Sequence, residues 1–76
     1  MSQDVLYLNG SKERLLRLKE VQRRVSLSRA SIYRLQALNS FPRSVPLGPR
    51  SVAWTESSID LWIQERITSG RTAEVR

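Results

Sequence analysis

The sequence predicts a small, mainly α-helical domain with one β-hairpin, on three observations. Residues 18–25 and the run from Arg29 each repeat apolar side chains at helical spacing, and little more than Ser26 and Leu27 lies between them. Val45, Leu47, Val52 and Trp54 flank the turn pair Gly48-Pro49, as in two short strands folded back on each other. The final pattern TESSIDLWIQERI then places Ile59, Trp62, Ile63 and Ile67 on one side of a third helix.

Length and composition set the limits. A chain of 76 residues holds one domain, and a domain this small buries only about 60% of its unfolded surface. It contains no cysteine and no histidine, so disulfide staples, thiolate nucleophiles, imidazole bases and the usual zinc sites are excluded. The serines lack any histidine base, no glycine-rich phosphate loop occurs, and no oxygen ligands fall at metal spacing. Neither an enzyme nor a bound cofactor or metal is expected. The start, MSQDVLYLNG, has too short an apolar run for a secretory segment, and no stretch approaches the roughly 18 apolar residues of a membrane span. A cytoplasmic protein without a membrane partner follows as the expectation.

Along the chain, residues 1–13 read as a flexible tail with a short strand at 5–8 ended by Asn9-Gly10. The domain proper spans 14–67. Its first helix, 18–25, buries Leu18, Val21 and Val25 but starts poorly, because Arg17 stands where a capping Ser, Thr or Asp is preferred. The second starts behind Ser28, whose hydroxyl can accept from the N–H of Ser31. Ile32, Leu35 and Leu38 form its apolar stripe, while Arg29, Ala30, Tyr33, Arg34 and Ala37 point outward. Phe41-Pro42 is expected to end it, since a residue before proline is pushed out of the α region. In the hairpin, Pro46 and Pro49 confine the first strand to an edge and Arg50 stands at the tip. Thr55 caps the third helix, Glu56 favours its positive end, and Trp62 is expected to anchor the core. Residues 68–76, with a Ser-Gly break, read as a second flexible tail.

Charge is the informative part of the composition. The net charge is +6 with pI near 11.1, but between Arg14 and Arg50 nine basic residues face the single acid Glu20, a local charge of +8. From Thr55 to Ile67 the charge is −2. Such a direction suits a polyanion on one side. A helix, a tight turn and a second helix with an arginine-bearing outer face describe a helix-turn-helix, whose second helix enters the major groove of DNA, and the hairpin is then a wing. Arginines near the helix start can reach phosphates or guanine, and Tyr33 can pack on sugar or a thymine methyl.

From RLLRLKEV through SLSRASIYRL, NSFPRSVPLGPRSVAW and SSIDLWIQERI, residues 14–67 resemble the AlpA-type prophage regulators. These are small winged helix-turn-helix proteins related to phage excisionases and to the DNA-binding domain of MerR proteins. The resemblance rests on Lys19-Glu20-Val21, Ser28 with Ser31-Ile32-Tyr33-Arg34, Phe41-Pro42, Leu47-Gly48 with Arg50, Trp54 and Trp62. It implies sequence-specific binding of double-stranded DNA and control of transcription, with integrase or excision genes among the targets. Carried onto this chain, it implies contacts from Ser28, Arg29, Ser31, Tyr33 and Arg34 and, in the wing, Arg50. Arg17 departs from the family and is counted as a phosphate contact, and Arg43 is grouped with it. Self-association on DNA and contact with an integrase or RNA polymerase are expected partners.

Plainer readings stand beside these. Any one arginine can be a solvated helix residue, Ser28 a cap alone, and Tyr33 a rim residue over the core. Arg23 and Arg24 can offset the helix dipole, and Glu56 and Asp60 can form a solvated face. Rival functions are an excisionase that bends attachment-site DNA, or a basic adaptor that docks on a phage protein.

Overall fold

The computed structural model describes residues 6–8 and 11–74, with side chains over 13–70. Two strands, β1 (Leu6–Leu8) and β2 (Ser11–Glu13), pair antiparallel at the start of the described residues. β3 (Leu15–Leu16) leads into α1 (Leu18–Val25) and α2 (Arg29–Ala37), then β4 (Val45–Gly48), β5 (Ser51–Thr55) and α3 (Glu56–Glu74). The pairing of β1 with β2 extends the strand expected in the first tail; Val5 and the Asn9-Gly10 turn lie outside the described residues. The three-stranded sheet has the order β3-β5-β4, all antiparallel, so β5 is central and the proline-bearing β4 is an edge, as expected.

The leucine lead-in is a strand because β5 offers it a partner. Leu15 faces Thr55 and Leu16 faces Trp54, which drives Leu16 into the core. There it meets Val21, Ile32, Phe41, Trp54 and Ile59, all buried. Trp54 is fully buried and its indole N–H donates to the carbonyl of Pro42 at 3.0 Å. A buried tryptophan removes roughly 200 Å² from water, about 5 kcal/mol at about 25 cal/mol per Å². Trp54 is thus the anchor. Trp62, expected in that place, is half-buried at the rim: it packs edge-on against Phe41 at 4.9 Å and donates to the carbonyl of Ser40 at 2.9 Å.

The turn between α1 and α2 is tight because Ser26 takes a left-handed conformation, φ 58°, with its N–H bonded to the carbonyl of Gln22. Ser28 then caps α2 as expected, accepting from the N–H of Ser31 at 3.1 Å. The end of α2 differs from expectation. Asn39 adopts φ 57°, its N–H bonds Gln36 and the N–H of Ser40 bonds Leu35, a pair of backbone bonds that closes the helix at Leu38. Phe41-Pro42 lies beyond and does another job: Phe41 wedges edge-on between Trp54 and Trp62, and the Pro42 carbonyl accepts from Gln36 as well as Trp54. Because the helix closes there, Leu38 leaves the buried stripe and is 64% exposed.

The start of α3 is satisfied from two sides. The Thr55 hydroxyl accepts from the N–H of Ser58, confirming the expected cap, while the Glu13 carboxylate and the Arg14 carbonyl accept from Ser57 and Glu56. This helix is not short. It runs through Ser69 and Gly70 to Glu74; an internal glycine costs about 1 kcal/mol relative to alanine and does not by itself break a helix, and no proline follows. Toward its far end Ile67, expected on the apolar side, is exposed.

Candidate nucleic-acid interface

Apart from Leu38, the second helix of the pair presents what the periodicity assigned to it. Ile32 is buried and Leu35 and Gln36 half-buried, while Arg29, Ala30, Tyr33, Arg34 and Ala37 are exposed on the other side. The Arg29 guanidinium lies 5.8 Å from the Tyr33 ring centroid, a cation–π contact that holds both side chains one turn apart on the outer face. Ser28 is committed to structure at both ends of its hydroxyl: it accepts from the backbone of Ser31 and donates to the Ser31 hydroxyl at 3.1 Å. Ser31 itself is half-buried at the helix start.

The remaining cations named from sequence lie on other elements. Arg17 is exposed at the start of α1, where no side chain caps the helix. Arg43 lies in the loop after α2, beside Gln36, Asn39 and Ser44 around a shallow depression. Arg50 is exposed in the two-residue turn Pro49-Arg50 between β4 and β5; that turn is one residue beyond the expected Gly48-Pro49 pair. Lys19, exposed on the α1 face opposite Val21, is a further cation, used from sequence in the charge total and the family resemblance but not named as a contact. Its position away from the apolar stripe was the available signal.

The acids divide the basic residues into two groups. Arg24 bonds Glu20 at 3.1 Å and Glu56 at 2.8 Å, with Asp60 at 4.0 Å. Arg23 bonds Glu20 at 3.0 Å and Arg14 approaches Glu56 at 3.9 Å. Glu56 therefore ties α3 to α1, whereas Asp60, 63% exposed and only 4.0 Å from Arg24, stays on the solvated face expected for it. Arg24, then Arg23, hold the Glu20 carboxyl below its usual range, and Glu56, then Glu20, raise the Arg24 guanidinium further. By contrast Arg17, Lys19, Arg29, Arg34, Arg43 and Arg50 have no acidic partner among the described residues, nor does Arg66 on α3, which lies over the Trp62 ring instead. An exposed cation without a counterion on its own chain is available to neutralise phosphate.

Among the described residues no cluster of acidic, histidine or cysteine side chains could hold a metal ion, and no helix is long and apolar enough to cross a membrane. A groove runs between the 39–42 loop and α3, lined by Phe41, Pro42, Leu61, Trp62, Glu65 and Arg66. Arg66 stacks on Trp62 there at 4.8 Å.

Comparison with known proteins agrees with this architecture. Residues 14–67 match the family model described as prophage CP4-57 regulatory protein (AlpA). The uncharacterized protein ORF88 of enterobacteria phage P4 is 42% identical over 57 residues, 75% of this chain and 65% of that protein, so the match spans just under two thirds of the phage protein's length. The DNA-binding transcriptional activator AlpA of Escherichia coli K12 is 38% identical over 66 residues, 76% of this chain and 91% of that protein. With its matched region covering both helices of the turn, the wing and the start of α3, the chain belongs to the AlpA family of prophage regulatory proteins.

Proposed function

We propose that this protein is a sequence-specific double-stranded DNA-binding regulator of transcription, of phage or prophage type, acting at promoters that include those of integrase or excision genes. The observation that carries this reading is the division of charge: acids pair with Arg14, Arg23 and Arg24, while the cations of the outer α2 face, the α1 start, the loop after α2 and the wing turn have no acidic partner among the described residues. The description of the Escherichia coli relative as a DNA-binding transcriptional activator supports it.

In this mechanism α2 enters the major groove. Arg29 and Arg34 meet phosphates or guanine edges, Tyr33 packs on sugar or a thymine methyl, and the Ser31 hydroxyl donates to a phosphate at the helix start. Arg17, Arg43 and Arg50 contact backbone to either side and fix the register. One such module buries roughly 600–1,000 Å², so useful specificity comes from several copies on repeated sites. α3, carrying the acids, faces away from DNA and is left for protein contacts, with RNA polymerase or an integrase.

The test is fluorescence anisotropy on duplexes from upstream of the gene and from the adjacent integrase region, beside a scrambled duplex, at several salt concentrations. A preference for one natural fragment, with affinity falling steeply as salt rises, is expected. Reversing both arginines, Arg29→Glu with Arg34→Glu, should abolish that preference; unchanged affinity would overturn the proposal. Equal weak binding to every duplex would leave only nonspecific attraction and point to a protein partner instead.

A further inference from the structure

We infer that the wing is an apolar wedge: Leu47 enters the minor groove of the bound duplex beside Arg50 and partly unstacks a base step, so that the protein kinks its DNA. The inference rests on the DNA-binding reading above and adds to it a residue and a deformation.

A hairpin that only meets phosphates has no need of apolar side chains on its outer strand. In β4 all four residues are exposed, and three of them are Val45, Pro46 and Leu47. Val45 is 38% and Leu47 46% exposed. A single exposed leucine is ordinary. Here the whole outer strand is apolar, Pro49 continues it past Gly48, and Arg50 is the one charge at the tip.

The backbone sets Leu47 apart further. Pro46 pairs with Val52 and Gly48 with Ser51, so the register shifts between them and Leu47 has no partner in β5. Such an extra residue bends the strand and re-aims its side chain. Pro46 and Pro49 fix their own φ on either side, which lowers the entropy lost when the tip is inserted. A Cβ at Gly48 would meet nothing within 4 Å; the glycine thus answers no crowding within the fold, and the space beside the tip is open to an approaching surface. Another strand is a poor occupant for this edge, because Pro46 has no N–H to donate.

On DNA the two tip side chains have different requirements. Arg50 gains from the negative potential of a narrow minor groove. Leu47 can form no hydrogen bond there, and lowers its free energy only by leaving water, between base edges. Side chains of this kind inserted from the minor groove unstack a step and kink the duplex by roughly 20–90°. Pyrimidine–purine steps resist least and are the expected place.

The experiment measures binding and bending in one titration. The preferred duplex from the anisotropy test, or the upstream duplex if none is preferred, carries a donor and an acceptor dye at its ends, and anisotropy and energy transfer are followed together. Wild-type protein should raise energy transfer as it saturates the duplex. Leu47→Ser should bind several-fold more weakly and lose that rise even at saturation, while keeping the salt slope, because no charge is removed. Leu47→Met, which keeps an apolar reach, should restore the rise, and Arg50→Ala should lower the salt slope by about one. Melting curves confirm that each variant is folded. Saturation by wild type without a rise, or a wild-type rise with Leu47→Ser, overturns the wedge and leaves DNA binding standing. Absence of binding to any duplex overturns the DNA-binding reading and the wedge with it.

Discussion

Arg24 bonds two carboxylates, Glu56 at 2.8 Å and Glu20 at 3.1 Å, with Asp60 farther off at 4.0 Å. Its position follows from α1: with Val21 buried against Ile32 and Trp54, the helix turns Arg24 toward the first turn of α3. Only about a quarter of its side chain is exposed, so these bonds are less screened than ordinary surface pairs, though still wet. Removing the guanidinium in Arg24→Ala should cost about 1 kcal/mol, which in a domain of this size lowers the melting temperature by roughly 4–8 °C. Arg34→Ala should behave oppositely. Arg34 has no acidic partner among the described residues, so its loss should leave the melting temperature nearly unchanged and reduce the salt slope of duplex binding by about one. Thermal melts and salt titrations of the two variants check this; a large salt-slope change in Arg24→Ala would place it at the DNA.

α2 is held by its two ends more than by its nine residues, since a helix so short is unstable alone. At its start Ser28 satisfies the N–H of Ser31; at its end Asn39 and Ser40 satisfy the carbonyls of Gln36 and Leu35. The same serine was named from sequence as a DNA contact, and substitution separates the two roles. Ser28→Ala removes the cap and should destabilise the domain by about 1 kcal/mol, whereas Ser28→Gly, a tolerable cap without a hydroxyl, should cost only a few tenths. If Ser28 is a cap alone, Ser28→Gly keeps wild-type duplex affinity, measured by anisotropy well below the melting temperature. A several-fold loss of affinity in Ser28→Gly would assign the hydroxyl a phosphate as well.

Across the whole molecule, what was legible in the sequence was local. The bounds of α1, the Ser28 and Thr55 caps and the edge position of β4 follow from neighbours within a few residues. What stayed hidden depends on residues far apart in the chain. Leu15 and Leu16 form a strand only because Thr55 and Trp54 lie opposite. Trp54 rather than Trp62 takes the centre because β5 is the middle strand, and Arg24 is withdrawn from the basic face by Glu56 of α3 as well as by the local Glu20. The outer face of α2 was legible from its periodicity, but the division of cations into paired and unpaired was not. That division has a consequence for the pH dependence of stability. Glu20 ionises in the folded state below its ordinary value of 4.5, chiefly through its bond to Arg24 and then that to Arg23. Its contribution to stability is therefore complete above about pH 4.5 and is lost as pH falls through the lower folded value, where the unfolded chain binds the proton more readily. Arg24, raised by its carboxylates, contributes throughout that range and would lose its share only at strongly alkaline pH. Acid also removes the seven carboxylates that offset thirteen cations, so self-repulsion grows as the α1–α3 tie weakens. The melting temperature should fall as pH is lowered from about 4.5, and Glu20→Gln should start lower at neutral pH and fall less steeply. Identical acid slopes for the two proteins would mean that the tie between the helices does not depend on the Glu20 charge.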